Sequence, residues 1–331
     1  MSRRDVVVIG ASAGGVELLL DLAAELPPSI PAAIFVVIHT APGYASTLPE
    51  LISRRGSLEA VHPQHGDRLV PGRIYVAPPD NHLLLRPDRI DVVRGPRENG
   101  HRPAVDPLFR TASWAFGARV VGVVLSGYQD CGTAGMMSVR ARGGVAVVQD
   151  PDTATVPEMP RHVLQRVGAD HVVAPAELPG LLTRLVAEPA TSDVAAAPGL
   201  EAMEGLRRGA PAEFVCPSCH GVLTEANVGQ HRSFRCHVGH AFSLENLVHE
   251  QSEDVERALW ASVRALEESA ALSRRLARHQ PNPGLVDRFE QKEQDLLRQA
   301  DLLRGLLLRG GERVDEAGEP GEEEASPGTP A

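Results

Sequence analysis

The chain has 331 residues, 43% of them hydrophobic and 4% aromatic, and carries a formal net charge of -10 at pH 7. That length predicts about two domains at ~100–200 residues each, and no apolar stretch approaches the ~20 residues of a membrane span, so membrane insertion is not expected. Seven acidic residues and one arginine lie in the last stretch, Gly311 to Ala331, which leaves the remainder only mildly acidic and argues against nucleic acid as a partner.

Residues 5–9 read as a buried strand that breaks at Gly10-Ala11-Ser12-Ala13-Gly14 into a helix over 15–24. Arg3 and Arg4 precede this run, but it stops at Gly10, too short for the apolar core of a signal peptide, so a cytoplasmic protein is expected. The pattern G-x-S-x-G lifts a serine oxygen off a sharp strand-to-helix turn beside backbone N–H groups. Such a loop can also cradle a phosphate at the helix N-terminus. A dinucleotide site would want glycine where Ser12 stands and an acidic residue at the end of the second strand. That strand, residues 33–38, ends in His39 instead. The carboxyl ends of adjacent parallel strands converge on one crevice, so His39 is placed to act as base towards Ser12. Taken alone, a histidine at a strand end is a polar cap.

Further strands are predicted at 73–76, 82–86, 90–93, 120–125 and 145–148, with helices over 107–116, 134–141 and 178–187. Strands alternating with helices predict an α/β domain with a doubly wound, mostly parallel sheet over residues 1–188. The 82–86 and 90–93 pair, joined by Pro87-Asp88-Arg89, predicts an attached antiparallel hairpin. The 120–125 strand opens into Ser126-Gly127-Tyr128-Gln129-Asp130-Cys131-Gly132. Asp130 there either orients the His39 imidazole or caps the helix that follows.

Residues 189–212 are small, polar and Pro-containing, a linker. Over 213–242, Cys216-Pro217-Ser218-Cys219 and Cys236-His237-Val238-Gly239-His240 carry metal-ligand spacing. Zinc takes four N/S ligands tetrahedrally, and Cys216, Cys219, Cys236 and His240 form the expected set, with His237 and His220 as substitutes; a fully protein-ligated ion is structural. Unrelated buried cysteines are the alternative. Residues 243–310 predict an antiparallel helical hairpin, with Leu244, Leu247, Val248, Val255, Leu259, Leu266, Ala270 and Leu276 on the first helix. Leu285, Phe289, Leu296, Leu303 and Leu307 repeat on the second. The stripe packs within the chain or forms part of a coiled-coil homodimer. Residues 311–331 predict a disordered acidic tail.

The first domain resembles the catalytic domain of CheB-type protein-glutamate methylesterases. The resemblance rests on residues 9–15, Val37-Ile38-His39, Tyr75 to His82, His101 to Asp106, Leu125-Ser126-Gly127, Gly132 to Met136, and Met159-Pro160-Arg161. It implies Ser12 as nucleophile, His39 as general base and no cofactor for catalysis. Removal of methyl groups from glutamate γ-esters of a receptor-like protein is the implied reaction, with deamidation of glutamine as a second outcome. The family aspartate stands immediately before the glycine of a D-G pair; here Cys131 holds that place and Asp130 is one residue early. A regulatory binding module with weakened or silenced turnover is therefore the competing reading, and Cys131 as nucleophile a third. The first strand begins at residue 5, so a stand-alone form without a receiver domain is expected, its helical module engaging signalling proteins.

Overall fold

The computed structural model describes residues 3–40, 45–190, 209–228 and 231–310. The chain divides into two compact units, Met1–His249 and Glu250–Ala331.

The first unit is built on β1 (Val6–Ala11), β2 (Ala33–Ile38), β3 (Glu59–Val61), β4 (Arg73–Val76), β5 (His82–Leu85), β6 (Ile90–Val93), β7 (Val120–Val124), β8 (Val145–Gln149) and β9 (His171–Val173). Seven of these form one sheet in the order β3-β4-β2-β1-β7-β8-β9, and every neighbouring pair in it is parallel. The inner strands are unbroken apolar runs, buried at every position in β1, β2, β7 and β8. That is what a strand covered on both faces requires. Successive side chains point to opposite faces. Val7, Ile9 and Ala11 join the core beneath α1 (Gly15–Glu25), α2 (Leu48–Arg55) and α6 (Leu178–Ala187). Val6 and Val8 join the opposite core, beneath α3 (Val105–Phe116), α4 (Thr133–Ala141), α5 (Glu158–Arg166) and the antiparallel β5–β6 hairpin.

Strand order reverses at β1, which has β2 on one side and β7 on the other. A crevice opens at the carboxyl ends of strands where order reverses. The expected sheet, hairpin and helices are present. Four short elements were not expected: α2, β3, α5 and β9. Three-residue edge strands such as β3 and β9 are too short for periodicity to reveal.

The same unit carries a second, antiparallel sheet of β10 (Ala210–Val215), β11 (Val222–Val228), β12 (His231–Cys236) and β13 (Ala241–Ser243), in that order. β10 begins inside the segment read as linker, whose residues 191–208 lie outside the described residues, as does the acidic tail over 311–331. Among the described residues, this sheet's core holds Cys216, Leu223, Phe234, Cys236, Phe242 and Leu247, with Ala212 and Cys219 packed against it. Its last strand binds the larger sheet's domain through backbone: Asn99 N–H donates to Ala241 at 2.7 Å and Ala241 N–H to Arg97 at 3.2 Å. Beside that joint, buried Glu98 pairs with Arg110 at 2.7 Å and Arg235 at 3.4 Å.

α7 (Leu244–His279) starts where β13 ends. The second unit holds the rest of α7 and α8 (Pro283–Gly310). Arg304 pairs with Glu267 and Arg274 with Glu293, so one helix descends as the other climbs and the hairpin is antiparallel. Val263, Ala270, Ser273 and Ala277 are buried on α7 and Ala300 on α8. The 3–4 spacing of the α7 positions is that of a coiled-coil seam. Val255 and Leu276, expected on that seam, are exposed. The apolar stripe on α7 is wider than one partner helix covers.

Burial works against a charged Glu98, yet Arg110 and Arg235 outweigh it and hold the carboxyl down at about 2 from an ordinary 4.5. A depressed carboxylate contributes stability above its unfolded pKa and loses it as pH falls through the folded one. Glu98→Gln also strands Arg110 without its partner. It is expected to lower unfolding free energy at pH 7 by roughly 3 kcal/mol and to flatten the acid dependence between pH 4.5 and about 2. Urea titrations of both proteins at pH 7 and pH 3 measure this.

Candidate active site

Three loops meet at the carboxyl ends of β2, β1 and β7. Parallel pairing sets Ala11 beside Ile38 and Gly10 beside Val124, so the residues that follow emerge side by side. Ser12 N–H donates to Ser126 O at 2.9 Å, and Ser126 Oγ donates to Ala13 O at 2.7 Å. A side chain at Gly127 would run into Met159 and the Ser12 Cβ; glycine lets the β7 loop press against the serine. The left-handed residue of the first turn is Gly14, at φ 76°, so the backbone strain of this elbow falls two residues after the serine.

His39 leaves the end of β2 with its N–H donating to Ala11 O at 3.2 Å. Its Nδ1 lies 3.2 Å from Ser12 Oγ. The two residues read from sequence as nucleophile and base are therefore in contact. For Nδ1 to accept the serine proton, the ring's own proton must sit on Nε2. That Nε2 is buried and has no hydrogen-bond partner within the described residues. Burial, and then the neighbouring His101, hold the His39 imidazole well below its ordinary pKa. The ring is thus a neutral, weak base. Beside it lies a groove of about 590 Å³, lined by Val16, Ile38, Leu48, Leu51 and Pro79 around Ser12 and His39.

Asp130 has neither of the roles expected of it. Its side chain is fully buried and accepts from Arg166 at 3.0 Å, from Ser243 Oγ at 2.7 Å and from Asn246 Nδ2. It makes no hydrogen bond to His39. Nor does it cap α4: Asp106 Oδ1 accepts from Gly132 N–H at 3.0 Å and Gly135 N–H at 2.7 Å. The reason is where donors gather. Arg166, itself bridged to Glu245 at 2.6 Å, Ser243 at the end of β13 and Asn246 in the segment after it satisfy Asp130. Cys131, at the place of the family aspartate, is buried with its sulfur accepting from Val105 N–H at 3.4 Å. Burial and then Asp106 push its thiol far up, which disfavours the thiolate that a nucleophile needs.

Sequence reasoning gave no role to Asp106, Asn99 or His101. Asp106 lies in the first turn of α3 immediately before Pro107, a helix-start signal, but its partners are Asn99 and the backbone at the start of α4. Asn99-Gly100 is a two-residue hairpin signal; both residues have positive φ, at 51° and 73°. It carries His101, whose ring stacks on His39 at 3.6 Å between centroids and 14° between planes.

Away from the crevice, one ligand atom each from Cys216, Cys219, Cys236 and His240 lies within 4.8 Å of the other three, an arrangement that can hold a metal ion. His237 and His220, the substitutes, are not in it.

Residues 7–182 match the family model described as CheB methylesterase. The chain belongs to the CheB methylesterase family. A protein-glutamate methylesterase/protein-glutamine glutaminase of Geobacter metallireducens is 36% identical over 189 residues, 56% of this chain and 54% of that protein. One from Xanthomonas oryzae pv. oryzae is 35% identical over 173 residues, 51% of this chain and 49% of the other. The chain thus spans about half the length of the curated relatives it matches. The crystal structure of the Thermotoga maritima CheB methylesterase catalytic domain superposes with a TM-score of 0.54 at 32% identity, covering 56% of this chain and 100% of that one. The parallel sheet with helices on both faces is therefore the CheB catalytic fold, and Ser12 and His39 sit at its carboxyl edge.

Asp130→Asn is expected to lower the stability of the first unit by about 1.5–3 kcal/mol, because it removes an acceptor that Arg166 and the buried Ser243 and Asn246 share. Turnover per folded molecule is expected to stay within about threefold, since His39 does not use this carboxylate. Denaturant titration and activity, normalised to folded protein, separate the two effects.

Proposed function

We propose that this protein is a serine carboxyl-ester hydrolase that removes methyl groups from γ-glutamyl esters of a receptor-like partner protein. The contact between Ser12 Oγ and His39 Nδ1 at 3.2 Å carries the reading. Ser12 Oγ attacks the ester carbonyl carbon as its proton passes to His39 Nδ1. The tetrahedral oxyanion forms at the start of α1. Ser12's own N–H is engaged with Ser126 O, so the donors that stabilise it come from the residues after Ser12. Collapse breaks the ester C–O bond, and the imidazolium returns its proton to the leaving methoxide, releasing methanol. Water, deprotonated by His39, then cleaves the acyl-serine to a free glutamate. Glutamine follows the same path with ammonia as leaving group, in keeping with the names its relatives carry.

The groove supports this substrate class. Its lining is mostly apolar, and among the described residues His39 is its one titratable side chain. A methyl ester is uncharged and enters such a groove, and among the described residues no Lys or Arg lines it to retain the carboxylate product. Among the described residues, His39 Nε2 has no acceptor to stabilise an imidazolium. Loss of an orienting carboxylate lowers turnover by about 10⁴ in serine proteases, so turnover is expected to be slow beside a complete triad. That same observation favours the second reading, a binding module in which the groove recognises the partner and chemistry is residual.

We infer a structural zinc on Cys216, Cys219, Cys236 and His240. The spacings between ligand atoms support it: Cys216 Sγ and Cys236 Sγ lie 3.6 and 3.5 Å from His240 Nδ1, and Cys219 Sγ lies 3.6 Å from Cys236 Sγ. Bonds of ~2.3 Å to sulfur and ~2.0–2.1 Å to nitrogen put tetrahedral ligand atoms about 3.5–3.8 Å apart. A cytoplasmic location suits clustered reduced thiols, and no helix among the described residues is long and apolar enough to cross a membrane. The helical hairpin, with Leu302, Leu306 and Leu308 exposed on α8, is read as the surface for signalling partners or a second copy.

Ser12→Ala is expected to reduce methanol release from a methyl-esterified receptor fragment to background while leaving the circular dichroism spectrum unchanged. Release at the wild-type rate would remove the hydrolase assignment from this site. Metal analysis of protein prepared without chelator is expected to return one zinc per chain. Chelation should then remove hydrogen-exchange protection from β10–β13 and leave the seven-stranded sheet protected.

A further inference from the structure

We propose that His101 is the positioning residue of His39, its ring stacked face to face on the base in a site that has no orienting carboxylate. The inference rests on the reading of Ser12 and His39 given above. The two rings lie 3.6 Å apart at 14°, so one whole face of the imidazole is covered. A ring held through Nδ1 to Ser12 can swing about that contact, because Nε2 has no partner among the described residues. A stacked face removes this freedom by packing and shields the ring from water, which keeps it unprotonated and ready to accept a proton.

The support is rigid because the stacking ring is itself fixed. Glu98 and His101 exchange backbone hydrogen bonds at 3.2 and 3.0 Å across the Asn99-Gly100 turn. Asn99 is tied on three sides: its N–H to Ala241 O at 2.7 Å, its Oδ1 accepting from Ser243 N–H at 2.9 Å, and its Nδ2 donating to Asp106 at 3.1 Å. Arg97 on the same hairpin donates to Gly100 O at 3.1 Å. The groups that bear on His101 are Arg97, from its own hairpin, and His249, from α7. Burial first, then these two, hold its imidazole at about 4. It is therefore uncharged through neutral pH and does not compete with His39 for the proton. The groups facing His39 are Ser12, from the β1 loop, and His101 itself.

The test uses the full chain with His101→Ala and His101→Phe, following methanol release across pH and the His39 ring resonance by NMR, assigned with His39→Gln. A base must be unprotonated to act, so kcat/KM falls on the acid side as pH drops through the His39 pKa. His101→Ala is expected to lower kcat about 10- to 100-fold with little change in KM, since misplacement of a reacting group by about an ångström costs up to ~10². The same variant should move the acid limb and the NMR titration of His39 upward, towards the ordinary histidine value, as water reaches the ring. His101→Phe keeps a flat covering face and should restore kcat to within about threefold, with the titration remaining low. A general loss of folded protein would lower activity at every pH without shifting either titration. Wild-type kcat and His39 titration in His101→Ala, or a His101→Phe variant as impaired as the alanine, would overturn the proposal. The NMR titration reads ring burial without turnover, so failure of this inference is distinguishable from failure of the esterase reading, which Ser12→Ala tests alone.

Discussion

Parallel pairing of β1 with both β2 and β7 is the constraint on which the site depends. Parallel strands end at the same edge, so the turns after Ala11, Ile38 and Val124 must emerge together. Two packing details convert that proximity into contact. Ser126 takes the Ser12 N–H, and glycine at 127 lets the neighbouring loop close against the serine. His39 then needs no long reach: its backbone is already bonded to Ala11, and its ring falls on Ser12.

The carboxylates near this edge follow a different logic. A buried carboxyl group settles where donors converge, and Asp106 and Asp130 each bond such donors and not His39. Asp106 closes the N-terminus of α4 and steadies Asn99. Asp130 is held by Arg166, Ser243 and Asn246. The base is left with a dry face and an orphaned nitrogen, and burial keeps it neutral. In the reaction proposed above, that state leaves the ring free to take the serine proton and burdens every imidazolium that forms, because none has a counter-charge.

The small antiparallel sheet links these features. Its core of six residues is too small to supply much stability by itself, and four cysteine and histidine groups clustered at one end are the kind of staple that compensates. Through β13 and the residues after it, the module grips both the Asn99-Gly100 turn and Asp130. The hairpin bearing His101 and the loop after β7 are therefore braced by a segment more than a hundred residues further along the chain.

Much of this was legible in local sequence. Alternating apolar strands and helices predicted the doubly wound sheet, because a strand buried on both faces needs an unbroken apolar run. Ser12 and His39 were legible because each directly follows such a strand, and topology brings strand ends together. The metal-type cluster was legible because Cys-x2-Cys and Cys-x3-His bring their ligands together within single turns. Asp130 was not, since its partners Ser243 and Asn246 lie 113 and 116 positions away and a loop side chain turns towards whatever donors the fold delivers. The packed face of the helical hairpin was only partly legible, because an apolar stripe wider than one seam leaves the choice to the partner helix. His101 stood in a recognisable motif, but its place on His39 depends on a turn docked by a distant strand. Backbone-following geometry is written in neighbouring residues; the direction of a loop side chain is decided by tertiary contacts alone.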